Sequence, residues 1–363
     1  MTLKVMVVDD TIFYRKIIKD VLLTIPGVEV VGTVNSGALA LNRIPSLKPD
    51  LITLDVEMPG MNGLQVLEEI RKKNYDVTCI MISSKTLEGS TATIKALELG
   101  AFDFVPKPDD SSAEANIDYL KTHLEKLIGM VTRQVRFKWL PKTDTRSGVS
   151  RAKTPAATSV QTPISTRLPR IERSSAIAIG VSTGGPNALA TVLPSIPGDI
   201  NVPIFLVQHM PPLFSASMAK SLDKKCALRV KEAENGETVE ANTVYIAEGG
   251  KQMKIASGAS FSKIIRITDD PPENNCKPSV DYLFRSVARE YGSKTTCVIM
   301  TGMGADGKLG VTVTRAAGAY IIAQNEETCV VYGMPKEVVD AGLADVVCPL
   351  GQISAEILKT VKN

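Results

Sequence analysis

Carboxylates stand where apolar runs stop. Asp9 and Asp10 follow Val5–Val8, and Asp55 follows Leu51–Leu54. Ser83 follows Thr78–Ile82, and Lys107-Pro108 follows Phe102–Val105. Three carboxylates brought together repel one another unless a hard cation sits among them, and Mg²⁺, held by a few carboxylates plus waters, fits that need. A lysine opposite supplies a point charge for phosphoryl oxygens. Asp10 before Thr11 would also serve as a helix N-cap, but capping does not account for Asp-Asp, Asp, Ser and Lys-Pro on successive run ends. A second group lies further on. Gly180-Val181-Ser182-Thr183-Gly184 matches G-x-S-x-G, the strand-to-helix turn that exposes a nucleophilic serine. His209 ends the run Ile204–Gln208, and Asp306 lies in the glycine-rich stretch 301–307 after Cys297–Met300. Serine is a weak nucleophile until a histidine takes its proton and a carboxylate orients the imidazole. Three alternatives stay open. The Gly-rich turn could cradle a phosphate or dinucleotide, although the G-x-G-x-x-G spacing fails and Pro186 occupies the first helical turn. His209 could be satisfied core, and Asp306 a turn residue. Asp269, Asp270 and Asp281 compete for the third role.

These residues need scaffolds that place them on one edge. In the first unit, Val5–Val8, Val28–Thr33, Leu51–Leu54, Thr78–Ile82 and Phe102–Val105 read as strands. Helical stripes alternate with them: Phe13, Ile17 and Val21 on one face of the first, and Ile117, Leu120, Leu124, Leu127 and Val131 on the last. Five such β-α repeats predict a parallel sheet covered on both faces. Ligands in such sheets bind outside the carboxyl ends of the strands. In the second unit Ala176–Val181, Ile204–Gln208, Cys297–Met300, Tyr320–Ala323 and Val346–Val347 read as strands, and the alternating stretch 228–267 predicts added hairpins. The fold class is therefore α/β, with two doubly wound parallel-sheet domains, the second carrying an antiparallel hairpin addition. The boundaries fall at 1–131, 132–173 and 174–363.

The segment 132–173 holds ten Lys or Arg against Asp144 and Glu172, a local net charge of +8 in a chain of net charge +3. Rich in Ser, Thr and Pro, it reads as a flexible basic linker. Aromatic interleaving is absent and no basic recognition helix stands out in 174–363, so no nucleic-acid partner is expected. With 44% apolar and 22% charged residues the 363-residue chain excludes wholesale disorder. No run approaches the roughly 18 apolar residues of a spanning helix, so no membrane insertion is expected. Six cysteines without a CxxC argue against a zinc site and for a reducing, cytoplasmic setting. His123, the other histidine, is expected at the surface of the first unit.

The stretches VMVVDD, LITLDVEMPGMNGL, MISS and FDFVPKP resemble the receiver domains of two-component response regulators over about 1–128. The resemblance implies that Asp55 accepts a phosphoryl group from a histidine kinase. It implies that Asp9, Asp10 and Asp55 hold Mg²⁺ with the carbonyl of Glu57, and that Ser83 and Lys107 bind phosphoryl oxygens. Phe104 holds the family's aromatic switch position, without a hydroxyl. Across 176–350 the stretches IAIGVSTGGP, LVQHMPPLFSASMAKSLD, KPSVDYLF, VIMTGMGADG and AQNEETCVVYGMP resemble chemotaxis protein-glutamate methylesterases, the CheB family. That resemblance implies Ser182 as nucleophile, His209 as base and Asp306 as its partner, with backbone N–H groups around Thr183 and Met303 as oxyanion donors. Substrates would be glutamate methyl esters, and some glutamines, on chemoreceptor cytoplasmic helices. The esterase chemistry needs no cofactor. Relatives often carry histidine where this chain has Gln252 and Cys276. The rival class is a non-enzymatic response regulator with a DNA- or protein-binding output unit.

Overall fold

The computed structural model describes residues 2–109, 112–139 and 172–361. Most of the expected linker, 140–171, lies outside the described residues.

The first sheet forms from β1 (Leu3–Val8), α1 (Ile12–Thr24), β2 (Val28–Val34), α2 (Gly37–Leu47), β3 (Leu51–Asp55), α3 (Gly63–Lys72), β4 (Thr78–Ser83), α4 (Leu87–Glu98), β5 (Asp103–Pro106) and α5 (Ala113–Trp139). Strand order is β2-β1-β3-β4-β5, every pairing parallel. β3 is buried along its whole length, as a central strand covered on both faces must be. Thr11, not Asp10, caps α1: its hydroxyl accepts from the Tyr14 amide. Asp10 is thereby free of the capping role its position suggests. α5 continues to Trp139, beyond the boundary expected at 131.

The second unit comprises β6 (Ala176–Val181), α6 (Gly185–Val192), β7 (Ile204–Gln208), α7 (Phe214–Asp223), β8 (Arg229–Glu232), β9 (Thr243–Ile246), β10 (Gln252–Ser257), β11 (Lys263–Thr268), α8 (Val280–Tyr291), β12 (Thr295–Ile299), α9 (Lys308–Ala316), β13 (Tyr320–Gln324), α10 (Met334–Asp340), β14 (Val346–Cys348) and α11 (Ile353–Val361). Seven strands run in the order β14-β13-β12-β6-β7-β9-β8. All of their pairings are parallel. The hairpins expected across 228–267 are thus half right. β8 and β9 extend the parallel sheet, and β10 with β11 forms the antiparallel pair. The difference is topological: β8 and β9 are joined by ten residues, 233–242, long enough to return the chain to the same end of the sheet.

The two units touch along α4 and α7. Ser90 Oγ lies 2.7 Å from Ser217 Oγ, and Ser221 Oγ donates to Glu98 at 2.6 Å. Lys225 pairs with Glu98 at 2.5 Å. Beside them the Phe104 ring stacks on Phe214, with centroids 4.5 Å apart.

Phe284 of α8 is fully buried against the second sheet. Truncation to alanine leaves a cavity that a close-packed core closes only in part. Phe284→Ala is therefore expected to lower unfolding free energy by about 3–5 kcal/mol, read as a lower urea midpoint for the second unit.

Candidate active site

Both sheets place their polar residues where strand order reverses. In the first the switch lies between β1 and β3, whose ends carry Asp9, Asp10 and Asp55. In the second it lies between β12 and β6, and the chain leaves those two strands toward opposite sides. A crevice opens there at the carboxyl edge, with Ser182 on one lip and the loop to Asp306 on the other.

The Ser182 turn is held from three directions. The Ser182 amide donates to Thr301 O at 3.0 Å, and the Thr301 hydroxyl donates to Thr183 O at 2.9 Å. Gln208 Nε2 donates to Ser182 O at 3.0 Å and to His209 O at 3.1 Å, so one buried side chain spans both loops. Gly184 adopts φ 77°, and a Cβ there would stand 2.5 Å from Val330 Cβ. Only glycine meets both conditions.

His209 Nε2 lies 2.7 Å from Asp306 Oδ2. Asp306 is 3% exposed and has further donors: the Val280 amide at 2.7 Å, the Asp281 amide at 3.1 Å, Ser279 Oγ at 2.8 Å and Asn274 Nδ2 at 3.1 Å. Burial pushes the Asp306 carboxyl up, but His209 and these donors outweigh it and hold the group well below the ordinary carboxylate range. Burial pulls the His209 imidazole down. The hydrogen bond to Asp306 and the contact with Cys276 outweigh that, raising it to about 9. The three competing aspartates lie elsewhere. Asp269 pairs with Lys251, and Asp270 with Tyr282 and Lys254. Asp281 is buried beside Asp306 without touching the imidazole; it accepts from the amides of Gly307 and Gly310.

With Nε2 engaged, Nδ1 is the nitrogen left for proton transfer. It faces Cys276 Sγ at 3.7 Å. The Ser182 hydroxyl makes no hydrogen bond among the described residues, to His209 or to any other group. The backbone N–H groups of Thr183 and Met303 likewise donate to no protein acceptor there. Sequence reasoning singles out Cys276 only as a departure from relatives that carry histidine and does not single out Gln208 at all, because only the fold brings Cys276 to His209 and Gln208 to the Ser182 turn.

A cavity of about 320 Å³ opens over Ser182, Thr183 and His209. Its opposite wall comes from the first unit: Asp103, Phe104, Tyr119 and His123. Asp103 accepts from the Phe104 amide at 2.8 Å, and burial raises its carboxyl to about 6, with the nearby Thr183 side chain opposing the rise. His123, expected at the surface, is half-buried instead, bonded through Nδ1 to Tyr119 O at 2.7 Å and facing this cavity.

In the first unit, ligand oxygens of Asp9, Asp10 and Asp55 lie within 4.8 Å of one another. Lys107 Nζ is 2.7 Å from Asp55 Oδ2 and 3.1 Å from Asp9 Oδ2. The second is a charge contact outside hydrogen-bond geometry, so that buried Asp9 oxygen has no hydrogen-bond donor. Burial is the main cause that raises the Asp55 carboxyl; Lys107 counters it and Asp9 adds to it. An orphaned carboxylate oxygen among three acids is what a hard cation would satisfy. Ser83 Oγ faces away from Asp55, donating to Gly89 O at 3.2 Å and accepting from Thr93 Oγ1 at 2.6 Å, both in α4. The Glu57 amide donates to Asp55 Oδ1 at 3.2 Å.

The CheB methylesterase family matches residues 177–357, and the response regulator receiver domain matches residues 5–116. A protein-glutamate methylesterase/protein-glutamine glutaminase of Desulfotalea psychrophila is 51% identical over 363 residues, covering 99% of both chains. The enzyme of that name from Bacillus subtilis is 41% identical, again over 99% of both. The solved Thermotoga maritima CheB methylesterase catalytic domain aligns with a TM-score of 0.50 at 40% identity, covering 51% of this chain and 98% of its own. These matches give no support to a non-enzymatic output domain, and among the described residues no helix is long and apolar enough to cross a membrane. A receiver sheet and a Ser-His-Asp edge in one chain, with relatives matching along its whole length, place this protein in the receiver-containing CheB family of protein-glutamate methylesterases.

Proposed function

We propose that this chain hydrolyses glutamate γ-methyl esters, and deamidates some glutamines, on chemoreceptor cytoplasmic helices, under control of a phosphoryl group that a histidine kinase supplies to Asp55. The observation that carries this reading is the buried His209–Asp306 pair beside Ser182, in a cavity whose other wall is the receiver.

Ser182 Oγ attacks the ester carbonyl carbon as His209 Nδ1 takes its proton. Charge builds on the carbonyl oxygen, where the unpaired N–H groups of Thr183 and Met303 can receive it. His209 then protonates the departing methoxide, and methanol leaves a glutamyl-serine ester. Water attacks that ester, giving a proton to His209, which returns it to Ser182; a glutamate carboxylate is released. With glutamine the leaving group is ammonia. Asp306 holds the imidazole by Nε2 and stabilises its charge throughout.

Asp9, Asp10, Asp55 and the carbonyl of Glu57 would hold Mg²⁺, which when bound offsets carboxylate repulsion and phosphoryl charge. Lys107 already reaches two of the three acids and is placed to bind a phosphoryl oxygen on Asp55. Ser83 would turn from α4 toward that group, and Phe104 would turn inward from Phe214. The first move would release α4 from the end of β4 and the second would break the ring stack with α7, which is how a local charge would undock the receiver. In this reading residues 1–131 regulate, residues 174–363 catalyse, and 132–173 tether them.

Ser182→Ala should cut methanol release from methylated receptor by roughly 10⁴–10⁶, whereas Cys276→Ala should cost less than about tenfold. The reverse pattern would make the thiol the nucleophile. Because His209 must be neutral and its folded pKa is raised, kcat/KM should fall with decreasing pH through a value above the ordinary histidine pKa of about 6.5. Asp306→Asn should move that limb down; a limb already at or below the ordinary value would contradict the pairing. A small phosphodonor with Mg²⁺ should activate the full chain but not Asp55→Asn, and residues 174–363 alone should outpace the unphosphorylated chain. Equal rates for those two would rule out occlusion by the receiver.

A further inference from the structure

Between β11 and α8 the chain makes a tight turn, Glu273-Asn274-Asn275-Cys276, outside both parallel sheets. Its ends exchange backbone hydrogen bonds: the Glu273 amide donates to Cys276 O at 3.1 Å, and the Cys276 amide donates to Glu273 O at 2.7 Å. Asn274 and Asn275 take φ 52° and 59°. That left-handed pair is the two-residue hairpin geometry in which asparagine is favoured. Arg285 of α8 pins the outer end by donating to Glu273 at 2.5 Å.

The inner end faces the catalytic loop. Asn274 Nδ2 donates to Asp281 Oδ2 at 2.8 Å and to Asp306 Oδ1 at 3.1 Å. An amide nitrogen carries two protons, so one group can bridge both acids. The two carboxylates are 1% and 3% exposed. Two buried carboxylates in contact raise each other's pKa unless donors lie between them. Asp281 also accepts from the amides of Gly307 and Gly310 through Oδ1, at 2.9 and 2.6 Å. It thereby anchors the start of α9 immediately after Asp306. Nothing in the hydrolytic cycle requires Asn274 to touch substrate, yet it bonds the carboxylate that orients the base.

We infer that Asn274 is a positioning residue for the hydrolysis: it bridges Asp281 and Asp306 and so fixes the Asp306 carboxylate on His209 Nε2. The inference rests on the proposed Ser182–His209–Asp306 relay. Cys276, two residues on in the same turn, lies against the other ring nitrogen of His209. The turn therefore meets both the base and its partner carboxylate.

The test uses the full chain, activated by a small phosphodonor with Mg²⁺, and measures methanol release from methylated receptor. Asn274→Ala should lower kcat by roughly 10–100-fold, the scale of a small misplacement in a catalytic group, with KM within about twofold. In an Asp306→Asn background the same substitution should cost less than about twofold, because it acts through Asp306. Asn274→Gly tolerates the left-handed turn and removes the donor. It should lose kcat as Asn274→Ala does, and it serves if the alanine variant does not fold. Full activity in a folded Asn274→Ala or Asn274→Gly variant, or equal losses in the presence and absence of the Asp306 carboxylate, overturns the inference. Ser182→Ala measured in parallel separates the two failures. If Ser182→Ala stays active the relay is wrong; if it is inactive while the Asn274 variants are normal, only the role of Asn274 is wrong.

Discussion

The second unit is organised around an ionised carboxylate kept out of water. A buried carboxylate without partners would cost several kcal/mol or take up a proton. Asp306 avoids both outcomes because two backbone amides at the start of α8, Ser279, Asn274 and His209 converge on it. That demand explains local structure that otherwise looks arbitrary. The entry to α8 must lie under the loop from β12, Asp281 must turn inward to bind Gly307 and Gly310, and the 273–276 turn must close over the pair. Once these are in place, the imidazole has one orientation available, with Nε2 held and Nδ1 facing the cavity.

The receiver meets the esterase unit through α4 and β5, beside the cavity over Ser182. Ser83, at the end of β4, is hydrogen-bonded into α4, and α4 lies against α7 through Ser90, Glu98 and their partners. α7 begins five residues after His209 with Phe214, on which Phe104 stacks. Contacts therefore run from the end of β4 through α4 to α7, and α7 follows His209 closely in the chain. Hydroxyl contacts and the ring stack join buried apolar side chains at this seam, and the Glu98–Lys225 ion pair there is partly exposed and so contributes little on its own. A seam of modest contacts suits a reversible cover, since a single phosphoryl group can shift an equilibrium only by its differential interaction with the two states.

Much of this was legible in the sequence because it is local. Alternating apolar runs and helical stripes specify parallel sheets, since period and burial are properties of short windows. The residues that end each run, Asp9, Asp10, Asp55, Ser83, Ser182 and His209, sit at the carboxyl edge by topology alone. The glycines after Ser182 announce a turn that other side chains cannot make.

Spacing favours Asp306 only weakly over Asp269, Asp270 and Asp281, and the motif resemblance implies it, but the contact itself is made only in the tertiary structure, by how the loop after β12 folds against α8. The same holds for Gln208, Asn274 and Cys276, which reach the site from loops and strand ends whose mutual distance no window contains. The parallel pairing of β8 with β9 and the placement of His123 against the esterase cavity are also long-range facts. Periodicity states which side of an element is apolar, but not which distant surface will cover it, because that choice is made by packing across the whole chain.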